Sequence, residues 1–199
     1  MYKKPLQPRA IATEKRFLDA LNDLLKDKSL GQLSIDEIAD RAHLTRGAFL
    51  KRFGSKKQAL FVLWALYCTR ASEEMVAIAA SLADFACVED ACMHMSIRLE
   101  HIQTLEFSTN RAMHEDFQEN LRIDPQTKKI FLDCVDLMRQ AQKQFNLADT
   151  ASDAGAFAAA QLLITINYNY VLKAMPALPP NALKRHKLIG EVVALALKG

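Results

Sequence analysis

The sequence predicts an all-α fold in two domains, a three-helix domain over 1–54 and a larger helical domain over 55–199, with about nine helices in all. Three observations carry this. Apolar residues recur at i, i+3, i+4 and i+7 along most of the chain, the spacing that gathers them on one face of a helix. No alternation of apolar and polar residues bounded by turn signals occurs, so no sheet is expected. Half of the 199 residues are hydrophobic and only six are glycine and six proline, which supplies a packed core with few interruptions.

The segment Met1–Pro8, with Lys3, Lys4, Pro5 and Pro8, reads as a basic arm. A first helix is expected from about Arg9 to Lys28, burying Phe17, Leu18, Leu21, Leu24 and Leu25, with Gly31 as its stop. Ser34 opens a capping box with Glu37, each side chain meeting the other's backbone N–H. Ile35, Ile38, Ala39 and Ala42 then form one buried stripe on a helix of about two turns. The stretch Ala42-His43-Leu44 leaves room only for a turn. Thr45 caps the next helix, and Leu44 stands at staple spacing from Phe49. This third helix turns Phe49 and Phe53 to one side and Arg46 and Lys51 largely to the other, and Gly54 suits the left-handed backbone that ends a helix. Ser55 and Gln58 form a second capping box for a long helix that runs through Leu60, Leu63, Trp64, Tyr67 and Ala71 towards Ser81.

Five more helices are expected at about 88–105, 109–121, 125–146, 151–175 and 181–198. Asp124-Pro125 supplies a cap followed by proline at the first helical position, Thr150 and Asp153 have capping-box spacing, and Pro176 with Pro179-Pro180 separates the last two helices. The 19 residues from Ala154 to Leu172 carry no charge, but Gln161, Asn167 and Asn169 argue against a membrane span. A helix packed on both sides fits better, with Leu183, Ile189, Val192, Val193 and Leu197 of the last helix as a second apolar surface.

Two short helices joined by a tight turn, the second projecting basic residues, form the helix-turn-helix that enters the DNA major groove. Charge agrees. Residues 1–60 hold 13 basic and 7 acidic residues, a net +6, whereas 61–199 hold 13 and 16, a net −3. No acidic residue lies between Asp40 and Glu73. The basic residues thus gather on the candidate reader, as a polyanionic partner requires. The candidate DNA contacts are His43, Thr45, Arg46, Gly47, Lys51 and Lys56. Arg46 can fork to guanine or hold phosphate, and His43 can reach phosphate from the turn. Thr45 is a cap first and a contact second. Gly47 weakens the helix, so its presence points to close backbone approach by DNA or a neighbouring helix. Lys56, at a helix N-terminus, can clamp phosphate together with backbone donors.

The run from Ser34 to Leu60 resembles the DNA-binding core of the TetR family of transcriptional regulators, through Ile35, Ile38, Ala39, Ala42, Thr45, Gly47, Ala48, Phe49, Phe53, Ser55, Lys56 and Leu60. Over the remaining two thirds the resemblance is one of architecture. Two positions depart from the family's usual pattern: His43 stands where glycine is common in the turn, and Leu50 replaces a tyrosine that touches phosphate. The resemblance implies a homodimer that binds a palindromic operator, most often as a repressor, and is released by a small-molecule effector; a cytoplasmic location is expected from the sparse cysteines and the lack of a secretion signal. It also implies that the last two helices form a four-helix dimer bundle. Within the second domain, Phe107, His114, Phe117, Met138, Asn167 and Tyr168 are the candidate effector contacts.

Other classes are less well supplied. Cys68, Cys87, Cys92 and Cys134 are sparse and read as reduced thiols, and Cys87, Cys92 and His94 match no zinc spacing. No glycine-rich phosphate loop, nucleophile elbow or His-Glu metal helix is present, so no catalytic residue, cofactor or metal is assigned. Two alternatives stay open: a helical effector-binding or scaffolding dimer whose reader has lost DNA affinity, and an α-helical enzyme built on the C-terminal cavity.

Overall fold

A computed structural model describes residues 5–147, 153–173 and 178–199, the side chains of 118–123 excepted. Among these residues stand nine α-helices and no strand: α1 (Pro8–Leu24), α2 (Ile35–Arg41), α3 (Arg46–Phe53), α4 (Lys56–Ala80), α5 (Val88–Leu105), α6 (Phe107–Ile123), α7 (Pro125–Gln144), α8 (Asp153–Val171) and α9 (Ala182–Lys198). A short 3-10 turn, Leu82–Asp84, follows α4.

Local chemistry sets most helix starts. Ser34 Oγ accepts from the Glu37 N–H at 3.1 Å, and Glu37 Oε2 accepts from the Ser34 N–H at 2.8 Å. The Ser55 hydroxyl caps α4 through the Gln58 N–H at 3.1 Å, and Asp124 caps α7 through the Thr127 N–H at 2.8 Å. The cap of α9, Asn181, accepts from the Lys184 N–H at 3.0 Å. Ends are less well forecast. Helix α1 stops at Leu24, short of Lys28, and the chain leaves it through turns at 25–27. Helix α6 starts at Phe107 instead of 109 and is broken at Phe117, where φ −141° and ψ 30° leave the helical range. Thr150 and Pro176, expected to bound the eighth helix, lie outside the described residues.

The chain divides into two compact units, one of 1–67 with 107–121 and one of 68–106 with 122–199. The first therefore takes in the start of α4 and most of α6 besides the three-helix segment. Phe17 of α1 meets Phe49 and Phe53 of α3 edge-on at 5.3 and 6.1 Å, and the last two rings lie 5.1 Å apart. Leu21, Leu25, Ile38 and Leu60 complete this core without exposure. Along α6, the Thr109 hydroxyl bonds Asn22 Oδ1 at 3.1 Å, and Arg111 donates to the Leu25 carbonyl, which fixes this helix on the end of α1.

The second unit packs α5, α7, α8, α9 and the end of α4 around Met75, Ile78, Met95, Leu137, Met138, Leu163, Ile189 and Val193. Backbones meet closely at Gly190, where an added Cβ would come within 2.8 Å of the Met93 nitrogen on α5. The apolar surface expected on the last helix divides. Ile189, Val193 and Leu197 face the unit's own core, while Leu183 remains exposed, as do Leu188 and Leu195. The charge-free stretch of α8 has the same two-sided character, and no helix among the described residues is long and apolar enough to cross a membrane.

A buried polar cluster joins α5, α8 and α9. Asn167 Nδ2 donates to the Ser96 carbonyl at 3.1 Å, while the Ser96 hydroxyl donates to Asn167 Oδ1 at 3.1 Å or shares a proton with His186 Nδ1 at 2.9 Å. Arg185 forks to Glu100 at 2.7 and 3.2 Å and stacks over the Tyr170 ring at 3.8 Å. Burial holds the His186 pKa below the usual histidine value; Glu100 opposes this shift and Arg185 adds to it. Folded protein therefore binds the proton less readily than the unfolded chain. The sign follows: stability is full above about pH 6.5, the unfolded histidine value, and is lost as the pH falls through it. Thermal melts at pH 7.5 and 5.5 should show a lower midpoint at pH 5.5 and a smaller drop in His186→Asn; an equal drop in both would show that His186 is not the group responsible. His94, also depressed by burial, contributes with the same sign.

Candidate nucleic-acid interface

The turn between α2 and α3 is closed by the backbone itself. The Leu44 N–H bonds the Ala39 carbonyl and the His43 N–H bonds the Asp40 carbonyl, both at 2.9 Å, the double closure of a Schellman motif. His43 takes φ 52° to allow it, the position where glycine is most comfortable. Arg16 of α1 compensates by donating to the Ala42 and His43 carbonyls at 2.6 and 3.0 Å. Thr45 then caps α3 through the Ala48 N–H at 3.2 Å, and Gly54 ends it at φ 75°.

Helix α3 is thereby two-sided. Phe49 and Phe53 are buried against Phe17, and Arg52 Nε is tied to Glu14 of α1 at 2.7 Å. His43, Thr45, Arg46, Gly47, Leu50 and Lys51 are all exposed. Arg46 meets Asp36 of α2 at 2.7 Å in an ion pair that both partners leave open to water. No heavy atom outside the local backbone comes within 4 Å of a Cβ built on Gly47. The glycine is thus not required by a neighbouring helix, and its side of α3 is open to another molecule.

Lys56 is placed differently from the expectation. It is half-buried, and its ammonium donates to the carbonyls of Leu30 (2.8 Å) and Leu33, fastening the loop after α1 to the start of α4. The exposed cation at this helix start is Lys57, 4.7 Å above the Phe117 ring. Glu37 has its carboxyl pKa drawn down to about 2, chiefly by Lys28 and then by the Ser34 backbone, so the capping box keeps its charge into mildly acidic solution. Sequence reading missed Arg16, Asp36 and Glu14, whose partners lie 26, 10 and 38 positions away. No local pattern signals such pairs.

The six candidate effector residues are divided between the two units. Phe107, His114 and Phe117 belong to the first, and Met138, Asn167 and Tyr168 to the second. Met138 is fully buried in the core, and Asn167 has both ends of its amide bonded to Ser96. Burial pushes the Tyr168 phenol well above its usual pKa. An open groove of about 330 Å³ lies between α4 and α7, lined by Ser72, Met75, Val76, Lys129, Asp133 and Leu137 among others, and none of the six borders it. Burial raises the thiols of Cys68, Cys92 and Cys134 to about 12, which keeps them protonated and unreactive at neutral pH. Among the described residues no three metal-ligating side chains come together.

Residues 17–62 match the family described as bacterial regulatory proteins, tetR family. The whole fold is similar to solved regulators of low sequence identity. A protein from Mesorhizobium loti, solved as a candidate TetR-family transcriptional regulator, is 13% identical with a TM-score of 0.69, over 96% of this chain and 98% of that one. GusR of Salmonella enterica is 16% identical with a TM-score of 0.66, over 99% and 100%. FadR of Bacillus halodurans, a fatty acid degradation regulator, is 14% identical with a TM-score of 0.64, over 98% of each chain. No curated protein matches the chain.

Proposed function

We propose that this chain, a TetR-family DNA-binding transcriptional regulator, acts in the cytoplasm as a homodimeric repressor of a palindromic operator and lets go when a small effector binds. The observation that carries the reading is the division of α3: two buried phenylalanines fix its angle, and the opposite face offers Arg46, Gly47 and Lys51 to a partner. A probe held this way, repeated by a second subunit, fits successive major grooves about 34–36 Å apart. The domain over 1–54 reads DNA in this view, and 55–199 dimerises and receives the effector. No observation favours an enzymatic role, and the exposed Arg46 and Lys51 support retained DNA affinity although Leu50 supplies no phosphate contact and Lys56 is engaged within the protein.

Duplexes selected from fragments of the source genome should share an inverted repeat, and their binding should weaken steeply with salt. Random recovery across the genome, with no common repeat, would defeat the repressor reading.

Dimerisation is supported by apolar residues that the monomer leaves uncovered on its last helix. Leu183 is 66% and Leu195 68% exposed, and the exposed Leu188, seven residues before Leu195, falls on the same side of the helix as it. Leu195→Glu puts a charge into that surface and should convert a dimer to a monomer in light scattering, with operator affinity falling at least tenfold. An unchanged mass for this variant moves the interface elsewhere.

A further inference from the structure

The exposed face of α3 carries one residue that neither salt chemistry nor the core explains. Leu50 is 37% exposed and stands one turn after Arg46, three residues after Gly47 and next to Lys51. Gly47 has no side chain, and nothing in the protein approaches the space beside it. Gly47 and Leu50, at i and i+3, therefore leave open space beside an apolar side chain, with Arg46 and Lys51 flanking them on the exposed side of α3.

We propose that Leu50 reads thymine by packing against the 5-methyl group in the major groove. This rests on the DNA-binding reading above and adds a base preference to it. Phosphate offers nothing to an alkyl side chain, and the other three base edges offer hydrogen-bonding groups with no more apolar surface than a ring C–H. Thymine alone presents a methyl group in that groove. Arg46 and Lys51 on either side hold the backbone and a neighbouring base, and Gly47 lets the helix come near enough for carbon to meet carbon.

The test uses full-length protein and a duplex selected from a random library. Each thymine is replaced in turn by deoxyuridine, which deletes the methyl group and keeps every hydrogen-bonding atom. Wild-type affinity should fall at one symmetry-related pair of positions, about fourfold for one methyl and about fifteenfold for both, the scale of burying one carbon. Leu50→Ala should bind the unmodified duplex more weakly and be indifferent to deoxyuridine at that pair; Leu50→Met, which keeps an apolar chain, should stay sensitive. Matching melting midpoints establish that the variants fold. If no single thymine methyl matters to the wild type, or if Leu50→Ala keeps the same sensitivity, the assignment is wrong although DNA binding stands. If the library yields no preferred duplex at all, both this assignment and the reading beneath it fall.

Discussion

Glu100→Ala should lower the unfolding free energy by about 3–5 kcal/mol, because it strands a guanidinium inside the protein. Arg185 is 3% exposed, and its fork to Glu100 at 2.7 and 3.2 Å is what satisfies it; the Tyr170 ring offers only its face. The pair itself is not worth that much. Taking two charges out of water costs nearly what their attraction returns, so the loss measures the abandoned partner. The double variant Glu100→Met with Arg185→Met should accordingly recover most of the stability, to within about 1 kcal/mol of wild type. Urea unfolding followed by circular dichroism, at one protein concentration because dimers are stabilised by mass action, reads both numbers. A single variant within about 0.5 kcal/mol of wild type, or a double variant no better than the single, removes this cluster from the supports of the second unit.

That cluster also marks where sequence reading stops. Ser34 with Glu37, Thr45 with Ala48, Ser55 with Gln58 and Asp124 with Thr127 each act across three residues, so their chemistry is visible as spacing. The left-handed positions at His43 and Gly54 follow from the same local logic. Ser96, Asn167 and His186 meet across 71 and 90 residues, and Arg185 meets Glu100 across 85. Nothing near any of them in sequence announces a partner. Periodicity correctly marks α9 as apolar along much of its length, yet it groups Ile189 and Val193, which fill the unit's own core, with Leu183, which stays exposed. Two apolar stripes on one helix look alike until its neighbours are known. The effector candidates are ambiguous for a related reason: aromatic, methionine and amide side chains suit a core as well as a pocket, and Met138 and Asn167 are fully buried.

The reader face is different, because its function lies in what it leaves unburied. Arg46→Ala should cost operator binding about 1–3 kcal/mol, roughly 5- to 150-fold, and should relax preference at the base or phosphate it meets. Its present partner does not hold it back. The Arg46–Asp36 ion pair is open to water on both sides, and such pairs contribute at most about 1 kcal/mol. The guanidinium can leave Asp36 for DNA at little cost, and Asp36→Asn, which removes both the competitor and a repelling charge, should tighten binding. Lys51→Ala should act otherwise, weakening all duplexes alike and lowering the salt slope by about one for each phosphate left without its cation, hence about two in a dimer. Equilibrium binding across a salt series, with selected and scrambled duplexes, separates the two roles. Should Arg46→Ala bind both duplexes as the wild type does, α3 is not the element that enters the groove. Since Phe49 and Phe53 fix which residues α3 can present, that outcome would leave its exposed face without a partner and its fixed angle without a purpose.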